Sequence, residues 1–166
     1  DDACVIAGQG TAALEMLADA PELDTLVIPI GGGGLIAGMS IAAKAIKPDI
    51  RIIGVEAAMY PSFTARLRGE TLRAGGQTIA EGIAVKQIGD LPFTLARALI
   101  DEVILVEEQG FEQAIALYVS AEKAVAEGAG AEGEPVFILQ DILKSACQAC
   151  LEVLGGFGNK VRFGKN

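Results

Sequence analysis

Histidine and tryptophan are absent from this sequence of 166 residues, and cysteine occurs only three times. Without histidine, one chain cannot build a Ser-His-Asp triad, a Cys-His pair or an H-E-x-x-H zinc site. Any catalysis by this chain must therefore use carboxylates, lysine, cysteine, serine, tyrosine, backbone dipoles or a cofactor.

Basic residues and long apolar runs are also scarce. The 13 Lys and Arg are outnumbered by 22 Asp and Glu, which gives a net charge of −9. That charge argues against a nucleic-acid partner or an anionic membrane surface. No apolar run approaches the ~20 residues of a membrane-spanning helix. The two opening aspartates do not resemble the basic and apolar start of a signal peptide. We therefore expect a cytoplasmic protein with no membrane and no nucleic-acid partner.

Two of the three cysteines, Cys147 and Cys150, have C-x-x-C spacing. This spacing occurs in redox sites and in half of some metal sites. It also places two small apolar residues on one turn of a helix. Because the sequence has no second C-x-x-C pair and no histidine, we favour the helical interpretation and expect no metal site.

The sequence VIPIGGGGLIAG, residues 27–38, contains four consecutive glycines, whose ordering costs conformational entropy. A glycine-rich turn between a strand and a helix can gather backbone N–H groups around an anion, helped by the helix dipole. The G-x-G-x-x-G and P-loop spacings both fail here. Two interpretations stay open from the glycines alone: a cradle for phosphate or another small anion, and a tight, closely packed turn.

Apolar runs alternate with helix-like segments along the first 131 residues. This alternation predicts an α/β domain with an open, mainly parallel twisted sheet flanked by helices. The pattern changes after residue 131, so we predict a divergent tail, residues 132–166, that packs on the same domain. The predicted strands are residues 26–30, 51–56, 102–106 and 136–139, and the predicted helices start near 11, 35, 61, 95, 109 and 141.

Five segments occur in an order that resembles one enzyme family: VIAGQGTAALE, PIGGGGLIAG, IIGVEAAMYPS, GGQTIAEGIAVK and EKAVAEGAGA. Together they resemble the pyridoxal-phosphate-dependent threonine/serine dehydratases, which have the tryptophan-synthase-β-like fold, known as fold type II. The resemblance covers about residues 1–131. It implies the large-domain portion of such an enzyme and pyridoxal phosphate as the cofactor.

The resemblance also implies roles for individual residues. In this family the glycine loop holds the cofactor phosphate through backbone N–H groups, one segment lies at the rim of the active site, and another closes over the cofactor ring. The corresponding residues here are Gly31, Gly32, Gly33 and Gly34 with Leu35 opening the supporting helix, then Glu81 and Gly82 at the rim, then Glu127 and Gly128 at the ring.

Glu56 occupies the position of an acid that helps to hold a structural cation in some relatives. Those relatives place a second acid six residues later, where this sequence has Ser62. We therefore favour the interpretation that Glu56 and Glu81 are solvated loop carboxylates rather than metal ligands.

The sequence lacks the segments that carry the family's chemistry. These enzymes use a Schiff-base lysine in an S-F-K-x-R-G-like segment, an S-x-G-N-H-A-like segment, and a closing segment of S-G-G-N type. None of the three is evident here, and Lys86 does not correspond to the Schiff-base lysine. We therefore expect a truncated dehydratase-like domain without normal dehydratase activity on its own.

Two other functions stay open. The chain could be a non-catalytic phosphate-binding, anion-binding or assembly module, or it could carry a hydrolase-type activity built on the same fold. The absence of histidine and of a G-x-S-x-G elbow argues against the hydrolase. Since the family buries one face of this domain against another domain, the resemblance also implies an apolar surface that a homodimer would cover.

Overall fold

The computed structural model describes residues 1–71, 75–117, 119, 120, 123, 125, 126 and 128. All of these residues belong to one unit, Asp1–Gly133. The predicted tail, with its strand, its helix and its C-x-x-C pair, lies outside the described residues, so those predictions remain predictions.

Within the described residues, three strands form an open parallel sheet in the order β1, β2, β3. The strands are β1 (Thr25–Pro29), β2 (Arg51–Ala57) and β3 (Glu102–Val106). β2 is central: Leu26 of β1 pairs with Ile52, and Ile53 pairs with Glu102 of β3. Every residue of β2 after Arg51 is buried, as expected for a parallel strand covered on both faces. The predicted fold class is therefore confirmed.

Six helices accompany the sheet in the described part of the chain. α3 begins one residue before its predicted start, whereas the predicted helix at residues 95–99 is wrong because the helix there begins earlier and ends at Ala96. Pro92 lies in the first turn of this helix, where its missing N–H removes no hydrogen bond. The helices are α1 (Ala3–Gln9), α2 (Thr11–Asp19), α3 (Gly34–Ile46), α4 (Ser62–Arg68), α5 (Asp90–Ala96) and α6 (Glu108–Leu117).

The main core is formed by α3, by α2 and α5, which each pack against it, and by buried residues of β1 and β2. α3 also contacts α1 closely, and this contact depends on glycine. A Cβ atom on Gly10 would lie only 2.9 Å from the carbonyl oxygen of Gly38. The close packing fixes α3 and hence the position of its first turn. No helix in the described part of the chain is long and apolar enough to cross a membrane.

Candidate phosphate site at the glycine loop

The glycine loop, Gly31–Gly34, joins the carboxyl end of β1 to the first residue of α3. Ile30 before the loop and Ile36 after it are fully buried in the core. The loop is therefore held firmly on both sides. In open α/β sheets, ligands bind outside the carboxyl ends of the strands, and the glycine loop lies at this edge.

Two of the four glycines are closely packed against neighbouring residues. Gly33 has a φ of +88°, and a Cβ atom there would lie 2.8 Å from Ile88 and 2.9 Å from Pro92. A Cβ atom on Gly31 would lie 3.1 Å from the Cα of Ile83. The interpretation of a tight, closely packed turn is therefore correct for these two positions.

The other two glycines face open space. A Cβ atom built on Gly32 or on Gly34 would meet no atom within 4 Å. Neither position has a positive φ, so packing and backbone conformation would both admit a side chain there. What these two glycines leave free is room beside the backbone.

The backbone amides of the loop have no acceptor in the described part of the chain. Ile30 donates its N–H to the Val55 carbonyl at 2.7 Å, and Ala37 donates to the Gly33 carbonyl at 3.1 Å. None of the six N–H groups between them, from Gly31 to Ile36, donates to a carbonyl or a side chain of a described residue. The positive end of the α3 dipole lies at the same place, so the loop combines the two features of helix starts at which small anions such as phosphate bind.

Two further predicted segments lie against this region. Gly82 is in a 3-10 turn, Glu81–Ile83, and its carbonyl oxygen would lie 3.3 Å from a Cβ atom on Gly31. Gly128 is buried, and a Cβ atom there would lie 2.6 Å from the Ile79 carbonyl. The glycine loop thus packs against the 3-10 turn, and Gly128 packs against the two residues that precede this turn. Glu127 lies outside the described residues.

Glu108 is a residue of this region that the sequence did not reveal. Its carboxylate accepts a hydrogen bond from the N–H of Ile79, two residues before the 3-10 turn. The link joins the first turn of α6 to the loop that supports Gly31. An acid in the first turn of a helix is too common to have signalled this contact.

Glu56 is fully buried, so its interpretation as a solvated carboxylate is wrong. It accepts hydrogen bonds from the N–H of Phe63 at 2.7 Å and from the N–H and hydroxyl of Thr64 at 2.9 and 2.7 Å. Burial raises the pKa of the Glu56 carboxyl above its usual range, and these hydrogen bonds oppose the shift. Glu56 is therefore a buried hydrogen-bond acceptor for the first turn of α4.

Glu81 and Lys86 are both exposed, so the interpretation of Glu81 as a solvated carboxylate agrees with the structure. Among the described residues, no three His, Cys, Asp or Glu side chains are grouped so that they could hold a metal ion. The charged side chains of this region therefore do not form a metal site among the described residues. The feature suited to a ligand is the set of backbone amides in the glycine loop.

An open α/β sheet with a glycine loop at its carboxyl edge is an architecture in which phosphate-bearing ligands are often bound. Residues 1–140 match the family model described as pyridoxal-phosphate dependent enzyme. The chain belongs to this family, within the fold type II enzymes of the threonine dehydratase group.

Individual relatives agree with this assignment. The chain is 47% identical to an L-threonine ammonia-lyase of Thermotoga maritima over 80% of its own length and 34% of the relative's. It is 42% identical to a catabolic L-threonine dehydratase of Escherichia coli K12, over 79% of this chain and 40% of the relative. The chain thus spans between about a third and two fifths of the length of these curated relatives.

Solved structures give the same result for the fold. The threonine deaminase of T.th. matches with a TM-score of 0.77 and 34% identity, over 85% of this chain and 53% of that one. Maize serine racemase matches with a TM-score of 0.72 and 38% identity, over 78% of this chain and 41% of that one.

Proposed function

We propose that this chain is the phosphate-binding portion of a threonine/serine dehydratase-type enzyme, and that its glycine loop holds the phosphate of pyridoxal phosphate. The observation that carries the proposal is the row of six N–H groups without an acceptor among the described residues, beside open space at Gly32 and Gly34. A phosphate has enough oxygens to accept from several such groups at once.

Each part of the loop has a distinct role in this proposal. Gly31, Gly32, Gly33, Gly34 and Leu35 present amides to the phosphate, while Ile30 and Ile36 keep the loop in position. The family resemblance implies that Gly82, Gly128 and Glu127 lie near the cofactor ring; in the described part of the chain, Gly82 contacts Gly31 and Gly128 contacts Ile79 and Ala80. Pyridoxal phosphate, when bound, supplies an electron sink for bond cleavage at the α-carbon of an amino acid.

Binding of the cofactor and turnover are separate properties in this proposal. Elimination of water from threonine or serine also needs the lysine and the serine-rich segments that these 166 residues do not contain. We therefore expect no 2-oxo acid above background when this chain is incubated with pyridoxal phosphate and L-threonine or L-serine. Steady formation of 2-oxobutanoate or pyruvate by the purified chain would contradict this part, and Lys86 or Lys123 would become the lysines to replace first.

Titration calorimetry with phosphate, pyridoxal phosphate and pyridoxal tests the binding proposal. We expect the two phosphate-bearing ligands to bind and pyridoxal to bind at least about tenfold more weakly, because it lacks the group that the amides recognise. Equal affinity for pyridoxal and pyridoxal phosphate would overturn the proposal. Binding of inorganic phosphate but not of pyridoxal phosphate would favour the alternative function, a general anion-binding module.

A variant pair makes the same test specific to the loop. Gly32→Val places a side chain in the open space beside the amides, where its Cβ meets no atom within 4 Å, so we expect a folded protein with at least about tenfold weaker phosphate affinity. Gly8→Ala is the matched control, since it also faces open space but lies in α1. If Gly32→Val folds and binds phosphate as tightly as the parent, the loop is not the site.

We also propose that the chain forms a homodimer. Several large apolar side chains on α1, α2 and α3 are exposed, among them Val5, Leu14 and Ile41. Light scattering across a dilution series should give a dimer mass at micromolar concentrations that falls on dilution. Ile41→Glu should lower the dimer fraction because it places a charge on this surface. A monomer mass throughout the series would contradict the proposal.

A further inference from the structure

We propose that a cavity at the opposite edge of the sheet from the glycine loop is a second binding site. It binds a monocarboxylate that carries an apolar group. The cavity has a volume of about 290 Å³ and lies at the amino end of β3, between α4 and the carboxyl end of α5. Because the strands are parallel, the amino end of β3 and the glycine loop lie at different edges of the sheet. The two sites are therefore separate.

The inner wall of this cavity is apolar. Phe63 is fully buried, and Ile100 and Val103 beside it are partly buried. Leu67, which is half exposed, lies at the entrance. An apolar group of a ligand would cover this surface and remove it from water.

Two arginines give the cavity a positive charge, although the whole chain carries a net charge of −9. Arg68 and Arg97 both line the cavity, and neither makes an ion pair or a hydrogen bond through its guanidinium with another described residue. Arg66 of the same helix differs, because it pairs with Asp90 at 2.8 Å. A lining that combines guanidinium groups with apolar side chains suits a ligand that combines a carboxylate with an apolar group.

The carboxylates of the cavity are already occupied. Asp101 pairs with Lys44 at 3.2 Å and accepts the N–H of Ile52 at 2.8 Å. Glu102 pairs with Arg51 at 2.5 Å. Each of these carboxylates is thus balanced by a cation, although one oxygen of each takes no part in these contacts. The lining therefore carries the net positive charge of Arg68 and Arg97, which favours a ligand with a net negative charge over a zwitterionic amino acid.

Three ligands with the same carbon skeleton test the proposal: isocaproate, the neutral isocaproamide, and L-leucine, which adds an ammonium group. In an NMR titration of the full ¹⁵N-labelled chain we expect isocaproate to bind with a dissociation constant on the order of a few millimolar. The amides of Ile100 and Val103 should shift, and the other two ligands should bind at least about fivefold more weakly. Equal binding of isocaproamide or L-leucine, or no binding of isocaproate, would overturn the proposal.

Charge-neutral variants locate the site. Arg68→Gln and Arg97→Gln should each weaken isocaproate about threefold to tenfold, because both side chains are exposed and their charges are screened. Lys86→Gln, the matched control, removes an exposed cation that does not line this cavity and should leave the affinity unchanged. Gly32→Val should also leave it unchanged. Loss of isocaproate binding in either control, with no loss in the arginine variants, would assign the ligand to the glycine loop and refute the second site.

Discussion

Two helices follow neighbouring strands of the sheet, and their first turns differ in one respect. α4, after β2, has the amides of Phe63 and Thr64 occupied by the buried carboxylate of Glu56. α3, after β1, begins with amides that have no acceptor among the described residues. The N–H groups of a first helical turn need acceptors from outside the helix. The chain supplies them at α4, and no described residue supplies them at α3. The amides of Phe63 and Thr64 already donate to an internal acceptor, so they are not available to a ligand.

The residues explain the difference. Gly31, Gly32 and Gly33 lead into α3, which itself begins with Gly34, and glycine has no side chain that could accept a hydrogen bond. The segment before α4 follows Glu56, whose side chain reaches the helix from the end of β2. The start of α3 therefore has no neighbouring side chain in the loop to accept its N–H groups, whereas the start of α4 has the side chain of Glu56.

Replacing Glu56 should give the largest effect. Glu56→Ala leaves the N–H groups of Phe63 and Thr64 and the Thr64 hydroxyl without their acceptor in a buried place, so we expect a loss of about 3 kcal/mol in the free energy of unfolding. Glu56→Gln retains one acceptor oxygen and should lose about half as much. Urea unfolding measures both, with the exposed Glu107→Ala as the control. A loss below about 0.5 kcal/mol for Glu56→Ala would show that α4 does not need its internal acceptor.

Alanine at two adjacent glycines of the loop should have unequal effects. Gly33→Ala forces a side chain into positive φ and against Ile88 and Pro92, so we expect a loss of about 2 kcal/mol. Gly32→Ala meets open space and should change stability by less than about 0.5 kcal/mol. The comparison uses urea unfolding in the absence of phosphate. Equal losses at the two positions would contradict the described conformation of the loop.

The smallest effect concerns pH, and it should have opposite signs for two carboxylates. Burial raises the Glu56 pKa, so its contribution to stability is present below the unfolded pKa near 4.5 and decreases as pH rises through the folded value. The hydrogen bond from the Ile52 N–H lowers the Asp101 pKa, so its contribution is present above the unfolded pKa near 3.8 and is lost as pH falls. Unfolding of the parent, Glu56→Gln and Asp101→Asn across this range should therefore give difference curves of opposite slope. Slopes of the same sign would refute the assignment of one of the two shifts.

The strands and α3 could be predicted from the sequence because apolar runs and the glycine cluster are local signals. α1 was not predicted; its start depends on Asp2, whose side chain accepts the N–H of Cys4 at 2.8 Å, and only Ile6 of the helix is buried. The sequence also could not show which glycines of the loop are closely packed and which face open space. Gly33 is constrained by Ile88 and Pro92, which are more than 50 residues away along the chain. The role of Glu56 rests on a contact seven residues ahead, which no short capping pattern describes.

The central claim is that the start of α3 is open to an anion and the start of α4 is not. Phosphate titration of the full ¹⁵N-labelled chain, followed by the backbone amide signals, tests both halves in one sample. The account predicts saturable shifts for the amides from Gly31 to Ile36 and none for Phe63 and Thr64. Signals in the glycine loop that do not move, or that move no more than those of Phe63 and Thr64, would contradict it.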